Sequence, residues 1–580
     1  MRIALAQLNP TSGDIAGNST RILEAIDAAA RQKADVVVTP EMALPGYCIG
    51  DLVENADFLA ANERALQSIA QAARGVTAIV GFIDHEPESR NENGTIRKYN
   101  AAAIVRDGRV LQRARKTLLP SYRYFDDKRF FSPGERREPV AVAVPAQGRA
   151  VPIGVSICED MWDEFYPIKP LRELASKGSE VILNLNASPF YPGKRRERDA
   201  LIRQHVARLR QPLVYVNTAG AADNGKNIIP FDGESLVYDA AGRLVAKGRQ
   251  FAEDLLVVEI GARAGEQPQV PLPPVDRERE IFDALVMALR DYMRKTGFSR
   301  AIVAVSGGID SALALAIAVE ALGADRVAAY NMPSRFNTAT TRSIAARLAT
   351  GFGVAYGVIP IQALDEHVRG VFEQHAHPIR VSATRENLHA RIRGLLMMAE
   401  SNDTGALLIS CGNETEIALG YATLYGDMCG GVSLIGDLSK IDVYRVARYV
   451  NARHGRAMIP EEAFDIKPSA ELAADQFDPF DYYVVAPIVG EFVERRRSPA
   501  DLLALFERQA LDPARFLPDP QGLTVYDKHT AATFREVVFD AYRRMRRSVY
   551  KRLQGPPIVA VTERAFGFDL RETIINEWGG

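Results

Sequence analysis

The chain has 580 residues, of which 47% are hydrophobic and 25% charged, with a formal net charge of −2. That length exceeds one hydrophobic core and the composition is that of a globular protein, so at least two domains are expected. The near-balanced charge leaves no electrostatic footprint for a long nucleic acid, and Cys48, Cys158, Cys411 and Cys429 are too few and too scattered for a disulfide framework or a CxxC zinc pair.

Met1 to Leu8 reads at once as a strand, with no signal-peptide pattern, and no later apolar run reaches membrane length. A cytoplasmic protein with no membrane partner is expected. Ala34 to Tyr47 (ADVVVTPEMALPGY) is a buried strand that runs into Glu41. Asp107-Gly108 separates AAAIV from VLQRAR, a hairpin signal, and Arg113 to Phe131 places Lys116 after the second of those strands. Val151 to Trp162 (VPIGVSICEDMW) is an apolar strand ending at Cys158, with acidic residues directly after it. Ala241-Gly242 marks a second hairpin, between SLVYD and RLVAKG.

The clearest break is Gly261 to Val275, GARAGEQPQVPLPPV, whose Gly and Pro content suits an extended linker. It divides the chain into a first domain at 1–262, a linker at 263–275 and a second domain at 276–580. A helix is expected over Arg277 to Thr296. Ala301 to Val305 then reads as a buried strand and Ala312 to Leu322 as a buried helix, with further strands at Val327 to Pro333 and Ala406 to Asn413.

Two stretches carry chemistry. Between the strand and helix near residue 305 lies Ser306-Gly307-Gly308-Ile309-Asp310-Ser311. The glycines let the backbone turn with its N–H groups uncovered, and the helix start adds a positive dipole end, which together make a phosphate cradle. Asp310 offers a carboxylate to a phosphate-bridging Mg²⁺. No Gly-Lys-Ser/Thr follows, so this is not a P-loop. In the first half, three strand ends present a carboxylate (Glu41), an ammonium (Lys116) and a thiol (Cys158). Those suffice for nucleophilic acyl transfer, with Glu41 as base, Cys158 as nucleophile and Lys116 as oxyanion and orienting group. Singly, each has a bland explanation: a buried Cys packs, and a strand-end Lys or Glu is solvated.

The SGGxDS loop resembles that of the ATP pyrophosphatases, which cut ATP between its α- and β-phosphates, and the loop alone does not choose among them. The first half resembles the nitrilase, or carbon–nitrogen hydrolase, family over nearly all of Met1 to Ile260, with its Glu–Lys–Cys triad at Glu41, Lys116 and Cys158. A supporting carboxylate falls at Asp127, where many members carry the longer Glu. An amidase of this kind joined to an ATP pyrophosphatase is similar to the glutamine-dependent NAD synthetases. The resemblance implies an α/β protein, with an N-terminal nitrilase-like α-β-β-α sandwich and a C-terminal Rossmann-like parallel sheet of the adenine nucleotide α-hydrolase type.

The same resemblance implies the remaining site residues. Tyr122, Ser188 and Lys194 stand at glutamine-contacting positions. Besides Ser306 to Ser311, ATP would be met by Cys411 (where the family often has Thr), Lys440 in IGDLSKIDVY and Ser469 in IKPSAEL. Deamido-NAD would be met by Asn387 and Arg391 in ATRENLHARIRG, by Glu416 in SCGNETEIALGY and by Lys551 in VYKRLQGPP. Asp310 and Glu416 would hold Mg²⁺. The expected ligands are L-glutamine, deamido-NAD, ATP and Mg²⁺, in a homo-oligomer without nucleic acid. The implied reaction is amidation of deamido-NAD by glutamine-derived ammonia, with AMP, diphosphate and glutamate as by-products. Three other readings compete: a carbon–nitrogen hydrolase whose nucleotide domain senses ATP, an RNA-binding, tRNA-modifying ATP pyrophosphatase, against which the near-neutral charge and the lack of a cysteine pair count, and a non-catalytic assembly module, against which the three catalytic-type groups count. Residues 479–547 match the family poorly, and the basic run Tyr542 to Arg552 reads as a solvated helix face.

Overall fold

The computed structural model describes residues 1–261, 268–466 and 478–575, so residues 263–267 of the linker and Ser469 lie outside the described residues. The chain forms two compact units. One is Met1–Asn224 with Ile229–Val275, and the other is Gly225–Ile228 with Asp276–Gly580.

In the first unit two six-stranded sheets stack. One runs in the order Asp254–Glu259, Arg2–Gln7, Val36–Val38, Thr77–Arg90, Ile96–Arg106, Arg109–Arg115. The other runs Leu244–Lys247, Leu236–Tyr238, Leu213–Asn217, Val181–Asn186, Arg149–Ile157, Val140–Val144. Side chains alternate across each sheet, so Ile3 and Leu5 face the layer shared with Ile153, Leu183 and Val214, while Ala4 and Ala6 face the outside of their sheet. That outside is covered by helices Ile15–Arg31 and Ala56–Ala72, through Ile22, Ile26, Leu66 and Ile69. Pro170–Ser176 and Lys194–Leu209 cover the second sheet through Leu171, Leu174, Ile202 and Val206. The result is an α-β-β-α sandwich. Its central strands are buried on both faces, which is why VVV reads as an unbroken apolar run; in VILNLN the buried Asn184 and Asn186 are accommodated by hydrogen bonds to Ser156 Oγ and the Asn184 carbonyl. The Asp107-Gly108 turn closes the expected hairpin, with Arg106 opposite Arg109 and positive φ at both turn residues (49° and 81°).

The second unit is built on a parallel sheet in the order Ile558–Val559, Val432–Ser433, Leu407–Ser410, Ala301–Ala304, Val327–Asn331, Ala355–Val358. From Ala301–Ala304 the chain moves outward to one edge, then returns to Leu407–Ser410 and moves toward the other. The reversal places a crevice at the carboxyl ends of these two central strands, where open α/β sheets bind ligands. Helices Arg277–Thr296, Ile309–Leu322 and Lys440–His454 pack together beside the sheet. The helix after the SGGxDS loop starts at Ile309 rather than Ala312, so Asp310 lies in its first turn. Residues 478–547 contribute helices Tyr482–Val493, Pro499–Glu507 and Ala531–Arg547 around Val489, Leu502, Phe506, Phe534 and Val538. Of the basic run, Arg543 and Arg547 lie outward as on a solvated face, but the expectation fails at its end, where Ser548, Val549 and Arg552 are buried and Arg552 donates to Glu572 Oε1 at 2.6 Å.

Among the described residues no helix is long and apolar enough to cross a membrane.

Candidate active sites

The first site sits at three strand ends. Glu41 lies three residues past Val36–Val38, Lys116 directly follows Arg109–Arg115, and Cys158 directly follows Arg149–Ile157. All three are buried. The Glu41 turn rests on Gly81 of the next strand, where a Cβ would fall 2.2 Å from the Pro40 carbonyl oxygen, so only glycine admits it. Lys116 Nζ donates to Glu41 Oε1 and Asp127 Oδ2, each at 2.6 Å. Glu41 Oε1 also accepts from Asn100 Nδ2 (2.7 Å), and its Oε2 accepts from the Ala187 N–H (2.9 Å). Asp127 Oδ1 accepts from the Tyr47 hydroxyl at 3.0 Å.

Cys158 has φ +42°, a left-handed backbone that a non-glycine residue rarely adopts. The turn is held by Asp160, whose carboxylate accepts from Ile157 N (3.0 Å), Thr117 N (3.0 Å) and Leu118 N (2.8 Å). One side chain thereby joins the nucleophile turn to the chain just after Lys116. Burial pushes the Cys158 thiol well up and Glu41 adds to the rise, while Lys116 opposes it. Burial also works against the Lys116 ammonium, but Asp127 and Glu41 outweigh it and hold the charge firmly. At rest the site is therefore a thiol beside an ion pair, not a thiolate.

The second site lies at the carboxyl ends of Ala301–Ala304 and Leu407–Ser410. Gly307 has φ +96°, and a Cβ there would meet the Thr341 carbonyl oxygen at 2.2 Å. The Ser306 hydroxyl accepts from Gly308 N at 3.2 Å, and Ser311 Oγ donates to the Gly308 carbonyl at 3.0 Å. Ile309 buries its side chain in the core, so it can present only its N–H. Asp310 Oδ1 accepts from Asn413 Nδ2 (2.9 Å) and its Oδ2 from Lys440 Nζ (2.5 Å); Lys440 Nζ lies 3.6 Å from Glu416 Oε1. Burial, then Asp310, pushes Glu416 up to about 8 against the pull of Lys440. Burial, then Asp310 and Glu416, pushes the Cys411 thiol up to about 12, which keeps it neutral.

Beyond Glu416, helix Glu414–Leu419 ends at Gly420, and three expected residues converge on the segment that follows. Lys551 Nζ donates to the Gly420 and Ala422 carbonyls (2.8 and 2.7 Å), Asn387 Oδ1 accepts from Thr423 Oγ1 (2.6 Å), and Arg391 Nε donates to the Leu424 carbonyl (3.2 Å).

Comparison with known proteins decides the family. The family model for carbon-nitrogen hydrolase matches residues 2–269, and that for NAD synthase matches residues 281–511. A protein described as a glutamine-dependent NAD(+) synthetase from Thermotoga maritima is 35% identical over 100% of this chain and 99% of its own length. One so described from Synechocystis sp. is 36% identical over 99% of this chain and 98% of its own. The chain belongs to the glutamine-dependent NAD(+) synthetase family. A solved structure of such a synthetase from Acinetobacter baumannii, in complex with ADP, superposes with a TM-score of 0.73 at 32% identity, covering 100% of this chain and 99% of that one. A Cytophaga hutchinsonii structure reaches 0.80 at 21% identity over 100% and 98% of the two chains, a likeness that speaks to the fold.

Within this NAD(+) synthetase fold, the residues expected from sequence fall into place unevenly. Glu41, Lys116 and Cys158 come together, as do Asp310, Glu416, Cys411 and Lys440 with the Ser306–Ser311 loop. Tyr122 joins the first site through Glu159, and Lys194 Nζ lies 4.0 Å over the Trp162 ring and 3.0 Å from Glu197 Oε2. Ser188 is buried beside Ala187, but its hydroxyl oxygen already accepts from Arg198 Nη2 at 3.1 Å. Sequence reasoning missed Asn100, Asn413 and Asp478. Asn413 caps the Glu414–Leu419 helix and exchanges hydrogen bonds with Glu416, a pattern that Asn-x-x-Glu announces. Asp478, whose Oδ2 accepts from Tyr482 at 2.7 Å, interacts electrostatically with Lys440 and Asp310 and carries no local signal.

Proposed function

We propose that this chain amidates deamido-NAD to NAD at the expense of ATP, with ammonia released from L-glutamine at Cys158. The observation that carries the reading is the buried Glu41–Lys116–Cys158 cluster, carried on one chain with the Ser306–Ser311 loop at a topological switch point. Glu41, oriented by Lys116, Asn100 and the Ala187 N–H, takes the thiol proton as Cys158 attacks the glutamine carboxamide. With the thiol pKa raised by burial, that proton leaves as the C–S bond forms. Lys116 faces the developing oxyanion. Ammonia departs with a proton returned by Glu41, and water releases glutamate from the thioester.

At the second site the first-turn N–H groups of Ile309–Leu322 and the hydroxyls of Ser306 and Ser311 face the ATP phosphates. The nicotinate carboxylate displaces diphosphate at the α-phosphorus, and ammonia then displaces AMP from the acyl adenylate. Asp310 and Glu416 are the residues that would hold Mg²⁺. Their two carboxylates share one ammonium, and the raised Glu416 pKa marks a site short of positive charge. Mg²⁺ characteristically takes one or two carboxylates and completes its shell with phosphate oxygens and water, and there it would neutralise phosphate charge. Asn387, Arg391 and Lys551 bind deamido-NAD along Gly420–Leu424.

The working form is a cytoplasmic homo-oligomer. In its support, the second unit exposes Val371 and Phe372 on Gln362–Gln374 and Leu395 on Ser382–Thr404, three large apolar side chains between 43% and 66% exposed. Sedimentation equilibrium at micromolar concentration would give a mass above 63.7 kDa.

The deciding assay combines ATP, deamido-NAD and either glutamine or ammonium, and reads NAD. Asp310→Asn should abolish NAD formation with both nitrogen donors and leave glutamine hydrolysis in place. Wild-type rates in that variant would overturn the assignment of Asp310.

A further inference from the structure

Arg552 follows Lys551 directly, yet its side chain is 3% exposed and has no part in the mechanism above. Its guanidinium is engaged at all three nitrogens. Nε and Nη2 donate to Glu572 Oε2 (2.9 Å) and Oε1 (2.6 Å), a bidentate fork that fixes direction as well as distance. Nη1 donates to the Ala418 carbonyl (2.9 Å), Nη2 also to the Met545 carbonyl (2.6 Å), and the group lies 4.6 Å over the Phe566 ring. Ala418 stands near the end of helix Glu414–Leu419, where an α-helix runs out of its own N–H donors.

Two adjacent cations therefore hold the end of this helix and the segment that follows it, and they are not equivalent. Lys551 donates only to the neutral carbonyls of Gly420 and Ala422, and among the described residues it forms no ion pair. Arg552 is anchored by a carboxylate. The start of the helix is fixed separately, by the Asn413 cap and its exchange of hydrogen bonds with Glu416.

We infer that Glu572 is a positioning residue for deamido-NAD: acting through Arg552, it sets the Gly420–Leu424 segment and the Lys551 ammonium. This rests on the reading that Asn387, Arg391 and Lys551 meet deamido-NAD along that segment. Because Asn413 holds Glu416 independently, the influence of Glu572 falls on deamido-NAD and not on ATP.

The test uses ammonium as nitrogen donor, so that the glutaminase site plays no part. Glu572→Gln keeps the shape and one acceptor oxygen but leaves Arg552 buried without an anion. The KM for deamido-NAD should rise about tenfold, while kcat, the KM for ATP and glutamine hydrolysis stay within about twofold. Arg552→Lys keeps the charge and loses the fork, so it should raise the same KM. Adding Glu572→Gln to it should then change KM by less than about twofold, since residues of one network are not additive. Thermal melts at a fixed deamido-NAD concentration read the coupling without turnover, and the stabilisation by ligand should shrink in both single variants. An unchanged KM for deamido-NAD in either single variant overturns the inference, because the pair would then only brace the chain around Phe566. A parallel rise in the KM for ATP, or effects of the two substitutions that multiply, overturns it as well. Lys551→Met tests the reading beneath: a wild-type KM for deamido-NAD there would mean that the segment does not bind this substrate.

Discussion

Burial alone would make Cys158 inert, because it holds the thiol protonated. Its reactivity therefore depends on a base next to it, and Lys116, Asn100 and the Ala187 N–H fix the Glu41 carboxylate in place for that role. Glu41→Gln retains volume and hydrogen bonding but cannot take a proton. Glutamine-dependent synthesis should fall by a factor on the order of 10² to 10⁴, with ammonium-dependent synthesis unchanged. Alkylation rates resolved by peptide mapping would separate Cys158 from Cys48, Cys411 and Cys429; a variant that hydrolyses glutamine normally returns Glu41 to a packing role. The triad was legible because each member stands at a strand end and the residues around all three match the nitrilase pattern. The reach of Asp127 was not, since the sequence shows only a carboxylate one methylene short of the usual one. Its position in the short helix Asp127–Phe130, and the hydroxyl of Tyr47 behind it, bring it to 2.6 Å from Lys116 without the extra carbon.

Among the elements, the phosphate loop shows how backbone conformation carries function. Gly307 holds φ +96° with its Cα against the Thr341 carbonyl, so Gly307→Ala adds both a strained dihedral and a clash. The cost exceeds about 1 kcal/mol locally. The loop should relieve it by moving away from the Thr338-capped helix Ala339–Phe352. The KM for ATP should rise at least tenfold while glutamine hydrolysis at Cys158 continues, a split that steady-state assays of the two half-reactions would read directly. An unchanged KM would mean that the loop does not hold the phosphates. Strands and hairpins here were readable from residues 301–333 and 96–115, because apolar runs and the Asp-Gly turn are local signals. The convergence of Asn387, Arg391 and Lys551 on one segment was not readable, since more than 150 residues separate the first from the last and only the packing of Val549–Arg552 near Gly420 brings them together.

For the whole molecule, the two chemistries lie on separate units with separate cores, so damage to one nucleophile should not unfold the other. Cys158→Ala should lose glutamine-dependent NAD formation and retain the ammonium-dependent reaction within about twofold, the usual size of a remote effect of a small core change. Loss of both activities would show that Cys158 holds the fold rather than the reaction. The sequence by itself determined the α/β class and, through its resemblance to known families, the pairing of a carbon–nitrogen hydrolase-like half with a nucleotide-binding half. It could do so because doubly buried strands, glycine-dependent turns and strand-end polar residues are set by neighbours a few positions away. Only the tertiary structure decided two further matters: that Gly225–Ile228 packs with the second unit, and that Asp160 ties the Cys158 turn to the chain after Lys116. Each depends on which distant segments share a layer. That follows from the summed burial of two sheets and their helices, and no single stretch of sequence records it.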